Sequence, residues 1–138
     1  MTKVRNYIRG DSRLIASTWV APDGVTPINI TGCTVFFTLN SSKTPTDGGT
    51  DTTAVIKKST SSHICPANVT LPDGRVFTAG QNTAALGVSW VSLLNTDTQP
   101  LLEQIYWYDV QLKDGAGNII SKMRDTFQVI DDITTRIS

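Results

Sequence analysis

Few residues in this sequence have the type and spacing that metal binding or nucleophilic catalysis requires. His63 is the single histidine, and the two cysteines, Cys33 and Cys65, lie far apart in the chain. Three soft ligands from one loop and a distant strand are a weak zinc pattern compared with paired CxxC motifs. A small buried cysteine in the strand and an exposed His63 in the loop explain these residues more simply. No GxSxG elbow is present, and nothing in the sequence around Cys65 indicates an activated thiol. We therefore expect no metal site and no enzyme.

The carboxylates offer calcium ligands more readily than a catalytic pair. Asp131 and Asp132 are adjacent, so in a strand they would point to opposite faces and could not flank a substrate. Hard oxygen donors occur in glycine-rich turns, at Asp47, Asp51, Asp114 and Asn118. A 12-residue calcium loop with a terminal glutamate is missing, and so is a glycine-rich phosphate loop. Turn formation explains these residues, and we expect no cofactor.

The composition predicts one all-β domain. The chain has 138 residues, with 12 Lys and Arg against 12 Asp and Glu, so there is no overall positive field to attract nucleic acid or an anionic membrane. Glu103 is the one glutamate, whereas threonine and serine are abundant, which is typical of strands and turns. The N-terminus lacks the apolar run of a secretory signal. We expect a protein made in a cytoplasm, with both cysteines reduced.

The strongest pattern is a β-hairpin over residues 105–130. Tyr106, Tyr108, Val110 and Leu112 alternate with Trp107 and polar residues, as in a strand with one buried face. The DGAGN stretch at 114–118 predicts a tight turn, and a second strand follows from Ile119. Ser121 and Asp125 interrupt the returning pattern and indicate a bulge or a sheet edge.

The remaining segments predict an immunoglobulin-like β-sandwich. About seven short strands are separated by frequent turns, with polar loops at 40–53 and 59–85, an inserted hairpin at 69–77, and one short helical turn at 95–103. The Cys, Trp, Cys spacing of antibody domains is missing. We assign residues 1–13 to a basic N-terminal arm and 14–138 to a single sandwich domain.

Two features are candidates for contact with a partner. The arm carries four cations against Asp11, and it is either a docking extension with apolar anchors or a solvated terminus. Phe36 falls on the outer face of a strand, where it either meets a partner or lies under a loop. The candidate partner-binding residues are Lys3, Arg5, Tyr7, Arg9, Arg13 and Phe36.

The three tryptophans have two interpretations. Trp19, Trp90 and Trp107 would form a carbohydrate platform only if several of them shared one exposed face. A sandwich core or a protein interface uses such residues equally well, and we expect core or interface.

Five short motifs at the two ends of the chain resemble a known family. They lie at Arg9–Arg13 (RGDSR), Pro22–Gly24 (PDG), Ile30–Gly32 (ITG), Tyr106–Leu112 (YWYDVQL) and Asp114–Gly117 (DGAG). The family is the immunoglobulin-like N-terminal domain of phage baseplate upper proteins and related phage tail proteins. The resemblance covers about 60 of the 138 residues, and residues 40–85 are longer and more polar than the family pattern.

The resemblance implies a virion structural protein without enzymatic activity. We expect a connector or decoration domain that docks on tail or baseplate proteins, or on neck or capsid proteins, in several copies around a symmetry axis. It would act in the virion after synthesis in the host cytoplasm, with neither nucleic acid nor membrane as a partner. The alternative is a carbohydrate-binding or host-adhesion module that uses the loops at 40–53 and 59–85.

Overall fold

The protein is an all-β sandwich in the computed structural model, which describes residues 4–8 as backbone and residues 12–42 and 54–130 with their side chains. The strands are β1 Val4–Ile8, β2 Arg13–Thr18, β3 Thr34–Asn40, β4 Ile56–Thr60, β5 Val69–Thr70, β6 Val76–Phe77, β7 Val88–Leu93, β8 Gln104–Lys113 and β9 Ile119–Ile130. A 3₁₀ turn at Ala84–Leu86 and the short helix α1 at Asn95–Thr98 complete the regular structure. The predicted fold class is confirmed. No helix among the described residues is long and apolar enough to cross a membrane.

Two sheets form the layers of the sandwich. The larger has the strand order β1-β9-β8-β3-β4, and the smaller consists of β2 and β7. All described pairs are antiparallel except β1 with β9, which run parallel. Thus β1, which lies within the segment assigned to the basic arm, is paired to the edge of the larger sheet.

The β8–β9 hairpin is confirmed, and its turn follows the sequence closely. The Asp114 carboxylate accepts hydrogen bonds from the N–H groups of Ala116 and Asn118, at 2.9 Å each. The strand register shifts between Leu112 and Lys113, which leaves Ile120 as an extra residue. The irregularity therefore lies next to Ser121, whereas Asp125 stays in register opposite Tyr108.

The main core lies between the two sheets. Val35, Phe37 and Leu39 of β3 pack with Tyr106, Tyr108, Val110 and Leu112 of β8, with Phe127 and Val129 of β9, and with Ile15, Val91 and Leu93 of the smaller sheet. Tyr108 is stacked on Phe37 at a ring-centroid distance of 5.6 Å and meets the edge of Phe127 at 6.1 Å. Full burial of each such side chain contributes roughly 1.5–3 kcal/mol.

A second, smaller core covers the other face of the β2–β7 sheet. It consists of Cys65, Phe77, Val88 and Trp90, and the β5–β6 hairpin lies over it. Strand β7 is therefore buried on both faces, as its apolar residues on both sides predict. The inserted hairpin acts as a third layer.

The connector before β8 differs from the sequence expectation. Helix α1 begins after Leu94, whose N–H donates to the Asp97 carboxylate at 2.8 Å, and Pro100 lies beyond the helix rather than in its first residues. Lys58 of β4 contacts the same carboxylate at 2.9 Å. Burial raises the pKa of Asp97, but the hydrogen bonds from Lys58 and Leu94 outweigh it and hold that pKa below its usual value.

Among the described glycines, Gly87 has the closest approach to neighbouring backbone. Its φ is +71°, and a Cβ there would lie 2.5 Å from the carbonyl oxygen of Trp19 and 2.8 Å from that of Ile28. Both neighbours are backbone atoms held by hydrogen bonds, since Trp19 N–H donates to Gly87 O and Ile28 N–H donates to Trp19 O. Moving the carbonyl groups of Trp19 and Ile28 away from an added Cβ would disturb these backbone hydrogen bonds.

Gly87→Ala should lower the free energy of unfolding by roughly 2–4 kcal/mol, because a left-handed alanine is strained and its methyl group overlaps backbone oxygens. Gly74→Ala is the matched control. Gly74 has φ +91° but open space around it, so about 1 kcal/mol is expected. Urea unfolding of both variants measures the difference, and equal losses would contradict the packing at Gly87.

Tyr108 should make stability depend on pH in the alkaline range. Burial, together with the charge of Asp125, raises the pKa of its hydroxyl from 10.0 to about 12. The unfolded chain then loses this proton first, so the stabilisation is complete below pH 10 and is lost as pH rises towards 12. Urea unfolding across this range should show a loss on the order of 2 kcal/mol that Tyr108→Phe removes. An unchanged pH dependence in that variant would contradict the assignment.

Candidate docking surface

The outer face of the larger sheet is the candidate site. We define this outer face as the side chains of four strands that alternate with the core residues: Lys57 and Ser59 of β4; Thr34, Phe36, Thr38 and Asn40 of β3; Ile105, Trp107, Asp109, Gln111 and Lys113 of β8; and Lys122, Arg124, Thr126, Gln128 and Ile130 of β9. None of the described helices or strands forms a second layer over it. The smaller sheet, by contrast, is covered on both sides.

Two half-buried aromatic rings lie on the central strands of this face. Phe36 is directly opposite Gln111, and Trp107 is directly opposite Asn40. Four residues of strand separate these two positions, which corresponds to roughly 13 Å. The ammonium group of Lys113 lies 4.9 Å from the centre of the Phe36 ring. This is a cation–π contact, and it holds the lysine over that ring.

A shallow depression lies beside Trp107. It is lined by Thr38, Asn40, Ser42, Trp107, Tyr108, Asp109 and Arg124. Asp109 stands opposite Thr38 on one side and Arg124 on the other. Its carboxylate also accepts a hydrogen bond from the Gln111 amide at 3.4 Å. The depression thus combines the Trp107 ring with an anionic group, the Asp109 carboxylate, and a cationic group, the Arg124 guanidinium.

The predicted partner residues do not all lie on this face. Phe36 does, and the ammonium group of Lys113 lies over its ring. Arg13 is exposed at the start of β2, in the other sheet, so it does not share a surface with Phe36. Arg5 and Tyr7 belong to β1 at the sheet edge, whereas Lys3 and Arg9 lie outside the described residues. Contact of any of these residues with a partner stays a prediction.

Trp107 is the residue that the sequence-based set of partner residues omits. The alternation of apolar and polar residues in this strand puts Trp107 on the face opposite to the core residues, so the sequence pattern could have identified it.

Trp19 and Trp90 are buried, and their indole N–H groups donate to Ser89 Oγ at 3.1 Å and Thr83 Oγ1 at 3.0 Å. The expectation of core or interface positions holds for these two, and they cannot act as an exposed platform.

The soft side chains do not form a metal site in the described part of the chain. Cys33 lies in the main core and Cys65 in the second, and both are free. His63 was expected to be exposed, and that expectation was wrong: it is 5% exposed, with Nε2 3.0 Å from the carbonyl oxygen of Cys33. Burial and the Asp114 charge raise the pKa of the Cys33 thiol. No group of three possible metal ligands occurs among the described residues.

The hard-donor candidates divide into two groups. Asp114 and Asn118 close the β8–β9 turn by bonding to each other and to backbone N–H groups, as turn chemistry predicts. Asp47 and Asp51 lie outside the described residues, as do Asp131 and Asp132. Asp114 and Asn118, the two candidates that the structure describes, therefore stabilise the β8–β9 turn.

Comparison with known proteins assigns no family. The chain matches no protein-family model, and no curated protein matches it. The candidate site therefore rests on its own geometry, namely the two rings, the depression and the charges of the outer face.

Proposed function

We propose that the chain is a structural protein of a phage particle, a non-enzymatic immunoglobulin-like domain that docks through its outer face on a tail or baseplate protein, or on a neck or capsid protein. The observation that carries the proposal is the contrast between the sheets. One is covered on both faces, while the other presents Phe36 and Trp107 on a face that no described element covers. The resemblance of the chain ends supplies the phage context.

The size of the outer face favours docking in many copies. Four strands about 4.8 Å apart and some 25 Å long present roughly 400–500 Å². A standard stable interface buries about 800 Å² on each partner, so one copy would bind weakly. Copies repeated around a symmetry axis raise the effective concentration and hold each other in place.

Strand β1 changes how the arm is best tested. Deletion of residues 1–13 would remove a strand that pairs with β9 through Phe127, Val129 and Ile130. Loss of assembly after that deletion could therefore reflect damage to the sheet rather than loss of a contact. Substitutions on the outer face separate the two effects, because these side chains are not part of the core.

The double variant Phe36→Ala with Trp107→Ala should reduce the number of copies per particle by about tenfold or more, since it removes both rings from the contact. Its melting temperature should fall by only a few degrees, as expected for side chains outside the core. Copy number is measured by quantitative mass spectrometry of purified particles of the virus that encodes the chain. Val76→Ala is the control, because Val76 is 67% exposed on β6, away from the outer face.

Two results would overturn the proposal. One is the absence of the wild-type chain from particles, and the other is normal copy number of a folded double variant.

The depression beside Trp107 favours carbohydrate binding as the second candidate function, because Asp109 and Arg124 adjoin a ring on which a sugar could stack. Binding on a glycan array that Trp107→Ala abolishes and Phe36→Ala spares would support that function instead.

A further inference from the structure

The outer face is basic although the chain as a whole is neutral. It carries Lys57, Lys113, Lys122 and Arg124 against one carboxylate, Asp109. The other cationic side chains that the structure describes are Arg13, Lys58 and Arg75, and none of them is on this face. With 12 cations and 12 acids in the sequence, only the fold can create this excess.

Four of the described acids lie away from the outer face because turns and a helix end use them. Asp23 accepts hydrogen bonds from the N–H groups of Val25 and Thr26, and Asp73 accepts one from the N–H of Arg75. Asp97 and Asp114 bond to backbone groups in the same way, as described above. Of the other described acids, Glu103 precedes β8 and Asp125 of β9 lies opposite the buried Tyr108, so Asp109 is the one carboxylate on the outer face as defined.

Lys57 and Lys122 lie at opposite sides of the face. Both are exposed, on β4 and β9, and neither forms an ion pair among the described residues. Two strands, β3 and β8, separate them, so their backbones are roughly 14 Å apart. The two ammonium groups thus flank the strands that carry Phe36 and Trp107, an arrangement of charged rim around apolar centre that suits a protein interface.

We infer that the outer face docks against an acidic surface of a neighbouring protein subunit, whose carboxylates pair with Lys57 and Lys122 on either side of Phe36 and Trp107. This inference rests on the proposed function and adds the chemistry of the partner. A single-stranded nucleic acid is the competing polyanion. It binds by stacking bases on open rings, but Lys113 already occupies one side of Phe36.

Titration of the isotopically labelled full chain with poly-L-glutamate, followed by nuclear magnetic resonance, tests the inference. Amide shifts should map to the outer face around Lys57, Gln111 and Lys122, and binding should weaken as salt is added. The double variant Lys57→Glu with Lys122→Glu should raise the Kd at least tenfold. Lys57→Arg with Lys122→Arg keeps both charges and should bind as the wild type does.

Three outcomes would overturn the inference: shifts that map away from the outer face, unchanged affinity of the folded double Glu variant, or tighter binding of an oligothymidylate with the same number of charges. Arg13→Glu is the control for the other sheet and should leave the affinity unchanged. The titration needs no particle. If poly-L-glutamate binds the outer face but the chain is absent from particles, the virion function alone is refuted. If the chain is present in particles but poly-L-glutamate does not bind the outer face, the acidic partner alone is refuted.

Discussion

The packing of Tyr108 between Phe37 and Phe127 is the interaction on which the arrangement of the larger sheet depends. It joins the inner faces of β3, β8 and β9, and β8 has a hydrogen-bonded strand on each side. Because side chains alternate along a strand, burial of Tyr108 forces Trp107 and Asp109 outwards. The outer face is thus a consequence of the core.

The inserted hairpin decides which face of the sandwich stays open. Phe77 and Cys65, from the irregular region at 59–85, pack on Trp90 and cover the β2–β7 sheet. The Thr83 hydroxyl, which accepts from the Trp90 indole, lies within hydrogen-bonding distance of the carbonyl oxygens of His63 and Val88. The region at 59–85, which the sequence suggests as a binding loop, therefore serves largely to cover the β2–β7 sheet. The outer face of the larger sheet, by contrast, has no described helix or strand over it.

The sequence predicts features that depend on local pattern, and it misses those that depend on distant contacts. The β8–β9 hairpin and its turn follow from period-two alternation and from the hydrogen-bonding capacity of Asp114. Strand β1 was not predicted, because its parallel pairing with β9 joins the two ends of the chain. His63 looked exposed because polar residues surround it, yet it is buried against the Cys33 carbonyl, thirty residues away. The sequence likewise shows only that the net charge is zero. The basic outer face could not be predicted, because its lysines are separated from the acids only in the folded chain.

The most direct test of the proposed docking is a reconstruction of the proposed phage particle by electron cryo-microscopy at a resolution that shows side chains. If the outer face docks as proposed, Phe36 and Trp107 are buried against a neighbouring subunit, with carboxylates of that subunit beside Lys57 and Lys122. A particle in which the outer face lies open to solvent, while the β5–β6 hairpin or the residues before β2 make the contact, would contradict it.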